Sequence, residues 1–172
     1  MALAVTTLHV LTAVTRPWNL PRIANSLEAW GPDANVHWHI GFDTRKRHVG
    51  GQAVKNRLLE AIDAPLDWIW FCDDDTTAHP LLYRVVEGAA TPESALIVSQ
   101  KRADGAVLQA HPRNVYVGGI DIGQAILRRK VIAHHRIPET YAGDGEFLQA
   151  VLGDLPGVVY LPEILSYHNA IQ

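Results

Sequence analysis

The chain has almost no sulfur chemistry to draw on: Cys72 is its single cysteine among 172 residues. One thiol cannot form an intrachain disulfide, which excludes the disulfide-stapled scaffolds and points to a reducing, cytoplasmic setting. Cys72 lies in an apolar run and reads as a small buried hydrophobe. Positive charge is not in surplus either. Fifteen Lys and Arg against 18 Asp and Glu leave a net charge of −3, which excludes a protein that grips nucleic acid by bulk charge. Two local basic clusters, Arg45-Lys46-Arg47 and Arg128-Arg129-Lys130, read as solvated surface. No window approaches about 18 uninterrupted apolar residues, so no membrane-spanning helix is expected. The opening, MALAVTTLHVLTAV, has no basic segment ahead of its apolar residues and reads as a strand rather than a leader. Internal repeats and low-complexity linkers are absent. The length and a 48% apolar share fit one domain spanning residues 1–172.

What is present is alternation. LHVLTAV (8–14) has the composition of a buried strand. Leu20, Ile23, Ala24, Leu27 and Trp30 then recur at helical spacing, with Asn19 placed as an N-cap, Pro21 in the first turn and Gly31 as the stop. VHWHIGF (36–42) alternates as a strand, Val36, Trp38, Ile40 and Phe42 on one face and His37 and His39 turned to solvent. GGQAVKNRLLEAI predicts a helix, DWIWFC (67–72) a third strand, and PLLYRVVEGA a third helix. Strand–helix alternation over residues 1–90 argues for a parallel sheet with right-handed crossovers. The second half, 91–172, is mixed. ALIVSQ and AVLQA flank an Asp104-Gly105 hairpin turn, VYVGG reads as a short strand, IGQAILRRKVIAHH and GDGEFLQAVLG as helices, and GVVYLPEILSYHN as one or two strands broken at Pro162.

Parallel strands end on one edge, and ligands bind outside their carboxyl ends. Thr15-Arg16, Asp43 and Asp73-Asp74-Asp75 all fall there. Three adjacent carboxylates are costly unless something positive binds them. Hard divalent ions such as Mg2+ or Mn2+ prefer oxygen ligands and bridge carboxylates to a substrate diphosphate. The bland reading stays open: Asp75 or Thr76 as no more than a cap for the helix near Pro80.

Taken in order, VLTAVTRPWNLPRIANSL, HIGFD, GGQAVKNRLLEAI, WIWFCDDD, YAGDGEFLQAV and LSYHN resemble the landmarks of A-type-fold glycosyltransferases, and in particular the large inverting family that uses nucleotide-diphosphate sugars. The resemblance implies a single-domain α/β fold: a Rossmann-like, mostly parallel sheet flanked by helices, with a smaller antiparallel part in the second half. Residues 1–90 would be the nucleotide-binding half and 91–172 the acceptor and catalytic half. It also implies roles. Asp43 contacts base or ribose near Thr15 and Arg16. Lys55 or Asn56 supports the nucleotide region. Asp73 and Asp74 lie on the nucleotide-sugar side. Asp75, with Asp73 and His168, holds Mn2+ or Mg2+. Asp144 is the general base, with Glu146 competing, because GDGEF replaces the commoner Glu-Asp pair.

The chemistry implied is an in-line displacement at the anomeric carbon, with a nucleoside diphosphate leaving. Bland readings stand beside it: Asp144 as a helix cap, and His168 as a histidine packed on a strand. Glycines in VGGIDIG (117–123) suit an acceptor or donor loop, or a plain turn. Two other functions fit less well. A nucleotidyltransferase would carry a glycine-rich phosphate loop after the first strand, and AVTRPWNLP has no glycine. A non-catalytic nucleotide-sugar-binding module would keep the rim without turnover. The acceptor, be it saccharide, lipid, protein or modified nucleobase, is not legible.

Overall fold

In the computed structural model, residues 6–44, 51–89, 94–153 and 155–170 are described; Arg45-Lys46-Arg47 lies outside them. Strand β1 (Leu8–Val14) is buried at all seven positions, as its apolar, β-branched sequence requires. A short 3-10 turn, Pro17–Asn19, leads into α1 (Leu20–Glu28). Asn19 does not cap α1; its side chain is turned away to donate to the Asp74 carbonyl at 2.9 Å. Gly31 ends the segment with φ +91°, a left-handed conformation that glycine adopts without strain. Then come β2 (Val36–Phe42), α2 (Gln52–Glu60), β3 (Trp68–Phe71), a two-residue β4 (Thr77–Ala78) and α3 (Leu82–Gly88).

The second half contains β5 (Ala95–Arg102), β6 (Val107–Leu108), β7 (Ala125–Arg128), α4 (Arg129–Ile132), α5 (Gly143–Leu152) and β8 (Val158–His168). One sheet runs β2-β1-β3-β7-β5-β8-β4, with β6 on the side of β5. Pairings β1–β2, β1–β3 and β5–β8 are parallel, while β7 lies antiparallel between β3 and β5. So β1, β2, β3, β5 and β8 all point the same way, and their carboxyl ends form one rim. Two apolar layers cover the sheet, one with Leu59, Ile69, Phe71 and Phe147 and the other with Trp30, Trp68, Trp70 and Leu82.

Several sequence expectations are corrected. Residues 122–135 are not one helix: a 3-10 turn at Ile122–Gln124 feeds β7, and only Arg129–Ile132 is helical. Ala125, Ile126 and Leu127 are wholly buried because β7 sits mid-sheet, where both faces are covered. VYVGG is a turn with one isolated bridge, Val117 to Ile120. Residues 158–168 form a single strand whose register against β5 slips from Leu161 to Ile164, so Pro162 and Glu163 make an irregularity rather than a break. Ile40 and Phe42 are exposed because β2 is an edge strand. His39 is not solvent-facing: its Nε2 lies 2.8 Å from His9 Nδ1. Nor is the second basic cluster merely solvated, since Arg128 stacks 3.9 Å above the Trp68 ring and Arg129 donates to the Ile62 carbonyl.

Candidate active site

The aspartate triplet leaves β3 at the rim, and its three carboxylates go three ways. Asp74 turns to the loop after β1. It accepts from Thr15 N (2.6 Å), Thr15 Oγ1 (2.8 Å), Arg16 N (2.7 Å), Arg16 Nε (3.0 Å) and Arg16 Nη2 (2.5 Å). Asp73 turns inward, its Oδ1 2.7 Å from Lys55 Nζ, a close ion pair. Asp75 takes Arg16 Nη2 on Oδ2 at 2.8 Å, while its Oδ1 stands 3.6 Å from His168 Nδ1. That Asp75 oxygen and that His168 nitrogen are both enclosed and lack a hydrogen-bond partner. Mutual repulsion in the triplet is therefore relieved residue by residue, by Arg16 and Lys55 for two of the acids, with one face of the third left open.

The helix α5 brings the next carboxylate. Asp144 Oδ1 lies 3.7 Å from the same Lys55 Nζ. Glycines on both sides of Asp144 are steric requirements: a Cβ on Gly143 would collide with the Pro138 carbonyl, and one on Gly145 would come within 2.8 Å of Val117 Cα. Helix α2 braces the segment ahead of it. Asn56 donates to the Ile137 carbonyl and accepts from the Ile137 amide, both at 2.9 Å. Asn56 and the wholly buried Lys55 thus face the interior and α5 rather than the rim surface. Glu146 is exposed and accepts from Thr140 Oγ1 at 3.3 Å.

Burial sets the electrostatics. It pushes the Asp73 carboxyl up to about 7, against the pull of Lys55, with Asp144 and Asp121 adding to the rise. Burial works against the Lys55 ammonium as well, but Asp73 and Asp144 outweigh it and its pKa is raised. Of this pair, the Lys55 charge is the one the geometry fixes: Lys55 is wholly enclosed, whereas a fifth of the Asp73 side chain meets solvent (0% and 21% exposed). Asp144 is raised by burial, with Lys55 opposing and Asp121 reinforcing. For Asp74, burial would raise the pKa, but the hydrogen bonds from Arg16 and Thr15 prevail and hold it below the ordinary range.

Two cavities meet at His168. One, of about 210 Å3, is lined by Thr15, Arg16, Asp73, Asp74 and Asp75. The other, of about 300 Å3, is lined by Asp144, Asp121, Arg102 and Tyr141, and His168 is on the wall of both. Asp43, half-buried at the end of β2, lines a separate cavity of about 460 Å3 on the outer side of α2, with Asn56, Arg57 and Arg136. The structure thus brings Thr15, Arg16, Lys55, Asp73, Asp74, Asp75, Asp144 and His168 together, and leaves Asp43, Asn56 and Glu146 at its margins. Sequence reading singled out the glycines of 117–123 but passed over Asp121. Its carboxylate is fixed by the Gly123 amide (2.8 Å) and Gln100 Nε2 (3.2 Å) and faces Lys55 and Asp144; an acid between Gly118-Gly119 and Gly123 is the available signal.

No set of three or more His, Cys, Asp or Glu side chains converges on a metal position among the described residues. Asp75 Oδ1 and His168 Nδ1 do converge, as a pair. One carboxylate oxygen and one imidazole nitrogen fit a divalent ion that takes its remaining ligands from water and phosphate oxygens. Asp73, the third expected ligand, has Oδ1 against Lys55 instead.

Solved structures share this architecture. TarS of S. aureus, residues 1–349, superposes with a TM-score of 0.70 at 11% identity, covering 95% of this chain and 60% of that one. The fold is the A-type glycosyltransferase fold. TarS with UDP-GlcNAc gives a TM-score of 0.67 at 10% identity, over 94% of this chain and 58% of that one. Drosophila β1,4-galactosyltransferase 7, as a mutant in complex with manganese, UDP-Gal and xylobiose, gives 0.59 at 17% identity, over 96% of this chain and 68% of that one. The chain therefore spans about 60% of the TarS fragment. No family model and no curated protein matches the sequence. Among the described residues, no helix is long and apolar enough to cross a membrane.

Proposed function

We propose that the protein is a metal-dependent inverting glycosyltransferase that moves a sugar from a nucleotide-diphosphate sugar to an acceptor hydroxyl. The observation that carries this reading is the pair of enclosed, unpartnered atoms, Asp75 Oδ1 and His168 Nδ1, where His168 lines two cavities, one bordered by Asp75 and the other by Asp144. The A-type fold and the nucleotide sugars bound by TarS and by the galactosyltransferase support it. Asp75 and His168 hold the Mn2+ or Mg2+. When bound there, the ion neutralises charge growing on the departing diphosphate. Thr15 and Arg16 border the donor cavity, with Asp43 further out for base or ribose. The donor is held by residues 1–90 and the acceptor by 91–172. Asp144, in the second cavity, takes the acceptor's proton as its oxygen bonds to the anomeric carbon and the bond to the diphosphate oxygen breaks. Attack from the side of Asp144, opposite the leaving group, inverts the anomeric centre. Burial keeps Asp144 basic enough to accept that proton. Glu146, exposed, is the weaker candidate for the base.

The test is release of UDP from UDP-Gal and UDP-GlcNAc in Mn2+, with and without candidate acceptors, for the wild-type chain and Asp144→Asn. Mn2+-dependent release that Asp144→Asn abolishes is the expected result. Binding of UDP without any release would assign the chain to a nucleotide-sugar-binding module instead.

A further inference from the structure

Resting on that reading of Asp144 as the base, the structure assigns Lys55 a part that neither donor nor metal binding calls for. We infer that Lys55 is the positioning residue of Asp144: one buried ammonium that fixes the carboxylate receiving the acceptor proton and ties it to Asp73 on the donor side.

Three observations converge on it. First, Lys55 is 0% exposed. It lies on α2 between Val54 and Leu59, which are also buried. A lysine there cannot reach a nucleotide, and an enclosed ammonium is retained only where carboxylates compensate it. Second, its two ion-pair partners belong to different functional elements. Asp73 follows β3 and Asp144 opens α5, at 2.7 Å and 3.7 Å from Nζ. The Asp73 contact is a close ion pair and the Asp144 contact a longer one, so Lys55 acts on Asp144 chiefly as a charge set between two acids. Third, the residues beside it on α2 hold the chain that leads into Asp144. Asn56 pairs with both peptide groups of Ile137, and Gln52 Nε2 reaches the Thr140 carbonyl at 3.4 Å. Gly143 then packs on Pro138 with no room for a side chain. Backbone and charge together leave Asp144 little freedom, and the α2 face is their common source. The groups whose charge Asp144 feels are Lys55, Asp121, His168 and, reciprocally, Asp73. Lys55 is the one wholly enclosed among them.

The experiment compares four full-length proteins: wild type, Asp73→Asn, Lys55→Met, and the double variant Lys55→Met with Asp73→Asn. The double variant replaces a buried ion pair by two neutral groups of similar shape and so keeps a folded protein in hand if Lys55→Met alone fails. Carbon-13 NMR of labelled aspartate carboxyls, with Asp144 assigned through Asp144→Asn, gives its titration midpoint without any substrate. UDP-Gal hydrolysis in Mn2+ gives turnover on the same samples. If Lys55 positions Asp144, the double variant departs from Asp73→Asn in both readouts. The Asp144 midpoint rises by about 1 unit, and hydrolysis falls a further 10-fold or so with the KM for UDP-Gal unchanged. If Lys55 serves only Asp73, the double variant matches Asp73→Asn in midpoint and rate, and the inference is overturned. A wild-type protein that hydrolyses no nucleotide sugar, yet shows the midpoint rise, keeps Lys55 as the positioning residue of Asp144 and removes the transfer reading.

Discussion

At the carboxyl rim of the sheet, Asp75 Oδ1 and His168 Nδ1 are enclosed without a hydrogen-bond partner, beside the ion pairs of Lys55 with Asp73 and Asp144. At the amino ends of β1 and β3, by contrast, both ring nitrogens of His9 are matched, by Asp67 Oδ2 at 3.0 Å and by His39 Nε2 at 2.8 Å. Each region gathers four titratable side chains or more, and His37 stacks on His9 in the second. Density of titratable groups therefore does not mark a site. An enclosed polar atom without a partner costs about 1–3 kcal/mol, and the rim sets two such atoms side by side, 3.6 Å apart. That concentration is expected where a ligand completes the bonding. The histidine cluster is complete already and reads as structure.

Asp144→Asn is the sharpest way to break that contrast. It should lower UDP-sugar turnover by about 10^2 to 10^4-fold while the protein stays folded, because Asp73 still compensates the Lys55 charge at 2.7 Å. Activity surviving this change would reduce the rim to a second structural cluster. Ligand binding comes next. A nucleoside diphosphate with Mn2+, at about 100 times its Kd, should stabilise the fold by about 2.7 kcal/mol. Either component alone should do much less, because Asp75 and His168 supply only two ligands. Thermal melts with UDP, Mn2+, both, and both with EDTA measure this; no response to the pair would place the orphaned atoms outside any diphosphate site.

Parts of both regions could be read without coordinates. Apolar strands and amphipathic helices over residues 1–90 have clear periods, and the parallel order they imply puts Asp73–Asp75 on a rim. The directions taken by the three carboxylates could not be read, because each is set by a partner remote in sequence: Thr15 and Arg16 for Asp74, Lys55 for Asp73, His168 for Asp75. The same holds for His39, whose alternation marks it as outward on β2 but cannot show that His9 waits on the neighbouring strand. Residues 125–128 failed for a different reason. Ala-Ile-Leu-Arg is a short apolar run without a decisive period, and only its place between β3 and β5 makes it a strand. Edge position also left no trace in VHWHIGF, whose alternation puts Ile40 and Phe42 on one face without showing that they are exposed.

Asp74→Asn separates a carboxylate that organises the rim from those that await a ligand. Its side chain is 4% exposed, against 35% for Arg16, so the charge-assisted bonds are partly screened. Loss of about 2 kcal/mol of stability is expected, with weaker nucleotide binding as the Thr15-Arg16 loop loosens. The pH dependence has a definite sign. The folded-state pKa of Asp74 is depressed, so its contribution is present above the unfolded value near 3.9 and is lost as pH falls through the folded value. Urea melts of Asp74→Asn and wild type should converge towards that acid limit. A constant difference down to the acid limit would mean that the amide loses something other than charge.

The histidine cluster gives the smallest effect and the opposite region of the pH scale. Burial first, then the charges of His9 and His37, hold the pKa of His39 below its ordinary value. A histidine whose folded pKa is depressed takes up its proton more readily when unfolded. Its contribution to stability is therefore full above the unfolded value near 6.5 and declines as pH falls from there through the folded value. Asp74 is still ionised in that window, whereas Asp73, raised to about 7, takes up its proton across it and gains stability as pH falls, so a decline between about pH 6.5 and 5 belongs to His39 and not to those rim carboxyls. His39→Gln should flatten it, at a cost of about 1 kcal/mol at pH 8 for the lost bond to His9, with UDP and Mn2+ binding at pH 8 unchanged because the cluster lies at the far end of β1. If the slope persists in His39→Gln, a different group titrates there; if nucleotide binding drops with it, the two ends of the sheet are coupled and the distinction between a complete cluster and an incomplete one no longer separates structure from function.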